Sequence, residues 1–471
     1  MIADRSFNQK ALDQEKLAEI AKTDPNLILA EKPAQFTAEF LSKIGIDYNP
    51  GKISDGFIKL FPEDFIVEEI ANDSRIIDIS PEEINLPEEI SNSRPQVDAD
   101  MVKRGIGTLE AVEKISLTLD INPSDIHYAG FKDSRAITAQ TITISGTAPE
   151  KIQEIVIPNI FLKNIHQRKG VREIGNLKGN KFSILIRTDK IDTEKLVSKL
   201  KKIKSEGFYN FFSLQRFGSR LINTELGRLI LQGNYEQAVK TFLTSTTLCE
   251  NRIICNIRTE AGKSWGNWEK MTEVFSKFPS VFYYELTLLE SLQKNDGKYL
   301  LGLKTIEDQS KMFVYAYGSF CFNKLLSLYA KSGEQIPESL PILADVSKVL
   351  ELYKKVVSEE ELKTLIFQQP AFPTMTMTKI RQNPTKIFPE IHKIYELPVG
   401  YVISFSLGKG AYATTFLAEF FDLFQGEPVP SWVDKTKCDV KAVLGETSIS
   451  QTQNKFPKDD ENQPNSLISE Y

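Results

Sequence analysis

The feature that most constrains the fold is a change of texture at about Gly207. Before it, short alternating stretches are interleaved with helically spaced ones; after it, apolar residues recur at helical intervals, and strand character returns only at Tyr401–Leu407. This order predicts an α+β domain interrupted by a largely helical insertion, with the last strand supplied after the insertion. The segments are then 1–50, a polar helical extension; 51–206, the first part of the α+β domain; 207–396, the insertion; 397–433, a closing strand and helix; and 434–471, a polar tail that reads as flexible.

Within the first part, Phe57–Leu60 and Phe65–Ile70 read as a strand pair around Pro62-Glu63-Asp64. Leu109, Val112, Ile115 and Leu119 share one face of a helix over Thr108–Leu119, and Thr141–Ser145 and Phe182–Arg187 alternate like strands. Asp192 caps a helix Thr193–Ser205 that stops at Gly207. Further helices are expected at Leu221–Leu231, Glu236–Leu243, Met312–Lys331, Val346–Phe367 and Ala413–Phe421.

A chain of 471 residues, 41% hydrophobic, can bury real cores without disulfides. Cys249, Cys255, Cys321 and Cys438 are scattered, and His127, His166 and His392 lie far apart, so neighbours in sequence cannot build a zinc site. Free thiols suit a reducing cytoplasm. The first 24 residues carry acids and lack an apolar core, and no run approaches the roughly 18 apolar residues of a membrane helix. The expected location is cytoplasmic, or nuclear in a eukaryote, with a monomer as the default.

The net charge of −5 argues against nucleic acid until its distribution is considered. Acids gather in the loop-like stretch Ser80–Asp100, and bases in Lys163–Arg187 and at Lys201, Lys202 and Lys204. A local positive face can hold phosphates despite an acidic total. On charge alone, a solvated helix face and loop is the plainer reading.

Two motifs mislead. Gly262-Lys263-Ser264 resembles the end of a P-loop, but Ile257 stands where the first glycine is needed. Gly408-Lys409-Gly410-Ala411-Tyr412-Ala413 fits G-x-G-x-x-A after an apolar strand, and Glu427 lies roughly 20 residues on, where a ribose-binding acid is expected. A dinucleotide-dependent oxidoreductase is therefore a remote alternative; beyond Glu427 the chain has prolines and a polar tail rather than further parallel strands.

The informative stretch is His127-Tyr128-Ala129-Gly130-Phe131-Lys132-Asp133-Ser134-Arg135-Ala136-Ile137-Thr138-Ala139-Gln140. A small-residue turn presents a carboxylate between Lys132 and Arg135, and a cation within about 4–6 Å favours the ionised, nucleophilic form. Taken alone, such a segment is more often a surface turn. It resembles, however, the A-G-x-K-D-x-x-A-x-T-x-Q segment of the TruD family of RNA pseudouridine synthases. Further segments resemble that family in order: Lys59-Leu60-Phe61-Pro62-Glu63-Asp64-Phe65, Lys103 to Thr108, Gly175 to Phe182 (G-x-L-x-G-N-x-F), Asn210 to Gly218, Ala316-Tyr317-Gly318-Ser319 with Phe322-Asn323, and Gly410-Ala411-Tyr412-Ala413-Thr414. Phe211, Ser213 and Gly318 depart from its usual tyrosine, glycine and glutamine.

The resemblance spans about residues 52–425. It implies a mixed, mainly antiparallel pseudouridine-synthase sheet with flanking helices and a helical TRUD insertion domain. It also implies isomerisation of a uridine in RNA, tRNA by default and in its D-arm region, with no cofactor or metal. Asp133 would be the nucleophile. Phe182 would stack on the flipped uracil, though periodicity alone favours a core phenylalanine. Asn180, which can donate and accept, would meet the uracil edge or a ribose hydroxyl. Phe65 and Tyr412 would be aromatic contacts, Lys59 an ion-pair partner of Asp133, and Lys132 part of the pocket. Arg168, Lys169, Arg172, Lys178 and Lys181 would touch phosphates. Gln215-Arg216-Phe217-Gly218 is expected to shape a cleft rather than do chemistry. A non-catalytic RNA-binding or folding protein on the same fold is the alternative.

Overall fold

A computed structural model describes residues 2–32, 34–89, 95–368, 372 and 377–457. The chain divides into two compact units: residues 52–208 with 387–457, and residues 2–51 with 209–386. Among the described residues no helix is long and apolar enough to cross a membrane.

The first unit is built on one mixed, mainly antiparallel sheet. Its main strands are β1 (Ser54–Phe57), β2 (Phe65–Ile70), β3 (Gln96–Arg104), β4 (Ile137–Ser145), β5 (Ile160–Gln167), β6 (Gly179–Arg187), β7 (Glu390–Leu397), β8 (Gly400–Gly408) and β9 (Phe421–Gln425). Along the sheet β9, β1, β6, β2, β4, β3 and β5 are neighbours, while β8 pairs with β6 and with β7. Only β1–β9 and β2–β4 are parallel among these pairs. β6 lies at the centre, matched residue for residue by β8 from Gly179–Gly408 to Arg187–Gly400. That approach demands glycine at 179, where a Cβ would collide with the Leu407 carbonyl.

Several expectations change here. Phe57–Leu60 and Phe65–Ile70 do not form a hairpin. Ser54–Phe57 instead pairs with Phe421–Phe424, and Pro62–Asp64 forms a 3-10 turn whose Asp64 receives both ends of the buried Arg187 guanidinium, at 2.7 and 2.9 Å. Lys59, between them, takes the left-handed φ of 59°. The acidic stretch is not all loop: β3 begins at Gln96 and buries Asp98 and Asp100. Those carboxylates are matched by Thr143, Arg168 and Arg172, and by Thr141, Arg75 and Asn164, respectively. β7, assigned by sequence to the insertion, belongs to the sheet. Phe421 starts β9 rather than ending a helix, because the helix stops at Leu417. β8 is antiparallel to both neighbours, so the G-x-G-x-x-A segment has no parallel crossover around it.

The largest correction concerns the tail. Residues 434–457 are packed, not flexible. Val440, Leu444, Ile449 and Phe456 join the core cluster with Ile66, Leu185 and Val402, and Arg187 Nη1 donates to the carbonyls of Asp434 and Thr436 at 2.6 and 2.9 Å. Hydropathy misses this because few apolar residues are involved and the start of the tail, at Asp434 and Thr436, is held by a buried arginine. Residues 458–471 lie outside the described part.

The second unit is largely helical. Its longest helix, Glu307–Ser332, buries Phe313, Tyr317, Phe322 and Leu325. The expected helix over Val346–Phe367 is broken into Ser347–Tyr353 and Glu359–Thr364, the second capped by Ser358. The extension packs with this unit: buried Asp13 accepts from Ser280 N and Oγ at 2.8 and 2.7 Å. Asn323 accepts from Phe212 N and donates to the Phe212 and Ile44 carbonyls, and Arg216 Nε donates to Ser319 Oγ at 3.3 Å. The Asn210 to Gly218 and Ala316 to Asn323 motifs therefore brace each other. At Gly318, a Cβ would press against Met377.

Candidate active site

Asp133 lies in the loop before β4, and buried hydrogen bonds set that loop's shape. Thr108 Oγ1 accepts from Lys132 N at 2.9 Å and donates to Gln140 Oε1 at 3.1 Å; Gln140 Nε2 donates to the Gly130 carbonyl at 3.0 Å. On the other side stands Lys103, wholly buried on β3, whose ammonium donates to the carbonyls of Ile106 at 2.5 Å and Asp133 at 2.8 Å, with a longer contact to Lys132 at 3.5 Å. The backbone on both sides of the carboxylate is thus tethered while its side chain stays 31% exposed.

The cation beside Asp133 is Lys59, which bonds its Oδ1 and lies 4.3 Å from the centre of the Phe65 ring. The left-handed turn at Lys59 brings about this reach. Lys132, adjacent in sequence, turns away: its ammonium is 2.8 Å from Glu69 Oε2 and 2.8 Å from Asn180 Oδ1. Arg135 is exposed.

Strand alternation explains the grouping. Phe65–Ile184, Val67–Phe182 and Glu69–Asn180 are register partners of β2 and β6, so Phe65, Glu69, Asn180 and Phe182 share one face of the sheet. Phe182 is buried, stacked on Phe405 with centroids 5.3 Å apart, and edge-on to Phe65 at 6.4 Å. The stacking platform expected from the sequence is therefore also part of the core. Tyr412, half-buried, precedes the helix Ala413–Leu417, just after a turn in which Lys409 N donates to the Lys178 carbonyl.

The basic residues do not form the expected phosphate row. Lys181 faces away from Asn180 and Phe182 and pairs with Glu446 at 2.9 Å and Glu68 at 3.6 Å. Arg168 and Arg172 share Asp98, at 3.1 and 2.6 Å. Carboxylates, Asp98 and Glu68 buried and Glu446 half-buried, have claimed these three cations. Lys169 and Lys178 remain exposed, Lys178 donating to Ser74 Oγ.

Sequence reasoning gave no role to four residues, although three of them stand in the motifs it singled out. Lys103, Thr108 and Gln140 tether the loop, and Glu69 holds Lys132. A usable signal was Glu68-Glu69 within an apolar run: alternation sends the two carboxylates to opposite faces, and each then needs its own cation. Phe131 was also missed; it is 63% exposed two residues before Asp133, its backbone neighbours fixed by the Gly130 and Lys132 hydrogen bonds.

The family model described as tRNA pseudouridine synthase D (TruD) matches residues 49–341, more than half of the chain. The chain belongs to this family. A Methanocaldococcus jannaschii protein named probable tRNA pseudouridine synthase D 2 is 30% identical over 322 residues, covering 68% of this chain and 70% of its own. A second protein from that organism, probable tRNA pseudouridine synthase D 1, is 26% identical over 78% of this chain and 95% of its own. A crystal structure from Methanosarcina mazei carrying the TruD name aligns with a TM-score of 0.57 and 24% identity, over 81% of this chain and 97% of that one. This likeness supports the α+β fold with its mainly antiparallel sheet.

Proposed function

We propose that this chain isomerises a uridine of tRNA to pseudouridine, with Asp133 as nucleophile and the target nucleotide turned out of its stack. The observation that carries this reading is the treatment of one carboxylate. Its loop is tethered by Lys103, Thr108 and Gln140, its charge is met by Lys59, and its side chain remains partly open on the face that holds Asn180 and Phe182.

In the reaction the C1′–N1 bond of uridine breaks and a C1′–C5 bond forms; the C5 proton is lost and N1 gains one, so no atom or electron need come from outside. What the protein has to supply is a nucleophile, a wall that retains the loose base, and a means of drawing the nucleotide out. Asp133 provides the first, Phe65, Phe182 and Asn180 the second, and the exposed ring of Phe131 is available to stack on RNA. Base–aromatic stacking is worth roughly 1–3 kcal/mol per base. Because three of the five basic residues are paired internally, phosphate contact falls to the exposed lysines, among them Lys169 and Lys178.

The test is to map pseudouridines in tRNA from cells with and without the gene, and then to restore the missing ones with purified protein. At least one tRNA position should depend on the gene and be restored in vitro. Identical maps, with no product from the purified protein, would leave an RNA-binding role.

A further inference from the structure

The Lys132 ammonium dictates which way the Asn180 amide faces. We infer from this that Asn180 turns its Nδ2 donor toward the substrate, so that on the base edge the group it meets is a uracil carbonyl and not the N3–H. The inference rests on the functional reading above and deepens it by naming the atom type that is recognised.

Glu69 and Asn180 are direct register partners on adjacent strands, and the Lys132 ammonium sits between them, 2.8 Å from each oxygen. An ammonium has donors and no acceptor, so the amide atom beside it has to be Oδ1; a turned amide would set N–H against N–H. Ambiguity between oxygen and nitrogen, usual for an asparagine, is removed here by chemistry. Lys132 is itself held by a carboxylate with no exposed surface, since Glu69 is wholly buried and a charge in that position requires its partner. The backbone that carries Asn180 is fixed, because β6 is paired on both sides at this residue, with Glu69 and with Leu407. Its Nδ2 has no hydrogen-bond partner among the described residues, and the side chain is half-buried on the Asp133 face. Glu69 and Lys132 are thus positioning residues: buried charge at one end of the row becomes a fixed donor at the other. Uracil carries acceptors at O2 and O4 and a donor at N3, and a fixed donor suits only the carbonyls.

The test is Asn180→Asp. This variant keeps the shape and the Lys132 partner but turns the outward donor into an acceptor. Expected is a loss in kcat/KM of about 10- to 100-fold, the worth of one hydrogen bond in a dry site, no better than Asn180→Ala, with tRNA affinity and Tm close to wild type. Activity of Asn180→Asp within about threefold of wild type would overturn the inference, because an acceptor would then suffice. A second arm uses tRNA with 2-thio- or 4-thiouridine at the target. Sulfur accepts hydrogen bonds poorly, so one of the two should slow the wild type and leave Asn180→Ala indifferent; equal rates for both thio substrates and uridine in the wild type would also overturn it. Should the wild type make no pseudouridine from any tRNA, it is the functional reading that falls, an outcome distinct from an active Asn180→Asp.

Discussion

Replacing Lys103 by methionine should loosen the loop that carries Asp133. Lys103 has no exposed surface, and its ammonium donates to the Ile106 and Asp133 carbonyls at 2.5 and 2.8 Å. Methionine has similar length and no donor. Each buried carbonyl that loses its partner costs about 1–3 kcal/mol, so two short bonds set the gross loss at roughly 2–6 kcal/mol. Part of this returns because an ammonium no longer has to be kept out of water, which leaves a net destabilisation of roughly 2–3 kcal/mol. For a unit of this size Tm moves by about 2–4 °C per kcal/mol, giving a fall of roughly 4–12 °C. Turnover should drop as well, since the Asp133 carbonyl is one of the two tethered groups, while tRNA affinity should change little. Calorimetry and single-turnover pseudouridine formation measure the two effects. An unchanged Tm together with wild-type turnover would refute the tether.

Burial pushes Glu419 up to about 7, against the pull of Lys199 and Lys52. The native chain therefore holds a proton that the unfolded chain has lost between its ordinary value of 4.5 and about 7. Stability should fall as pH rises across that window, by at most about 3 kcal/mol, and level off above it; Glu419→Gln should flatten Tm against pH and raise Tm at alkaline pH. Ending the chain at Val433 removes Val440, Leu444, Ile449 and Phe456 from the core and two carbonyls from Arg187. At about 1.5–3 kcal/mol per buried side chain, the truncated chain should lose its cooperative thermal transition, and a wild-type melt would contradict the packing described. Phe182→Ala would hollow the core at a cost of about 3–5 kcal/mol, so Phe182→Leu is the informative variant. It should melt near wild type and lose turnover more than tRNA affinity; a loss of affinity alone would place Phe182 outside the base pocket.

The division into a sheet and a helical insertion was legible because period 2 and period 3.6 differ so plainly on either side of Gly207. Asp133 and its loop were legible as a motif, and the Lys59 pairing only through family resemblance, since nothing local says that residue 59 turns through a left-handed φ toward residue 133. What stayed hidden depends on cross-strand register. Lys132 looks like the partner of Asp133 until β2 and β6 set Glu69 beside Asn180. Arg172 and Lys181 look like phosphate ligands until Asp98, Glu68 and Glu446 arrive from other strands and from the tail. The tail itself was misread because its four apolar anchors are spread over 17 residues, from Val440 to Phe456, too thin a signal for periodicity.

The most direct measurement compares wild type with Asp133→Asn in tritium release from tRNA carrying [5-³H]uridine, with tRNA binding followed in parallel. Asparagine keeps the size of the side chain and an oxygen for Lys59 but removes the attacking carboxylate. Release should vanish while binding persists; tritium released at the wild-type rate by the variant would remove Asp133 from the chemistry.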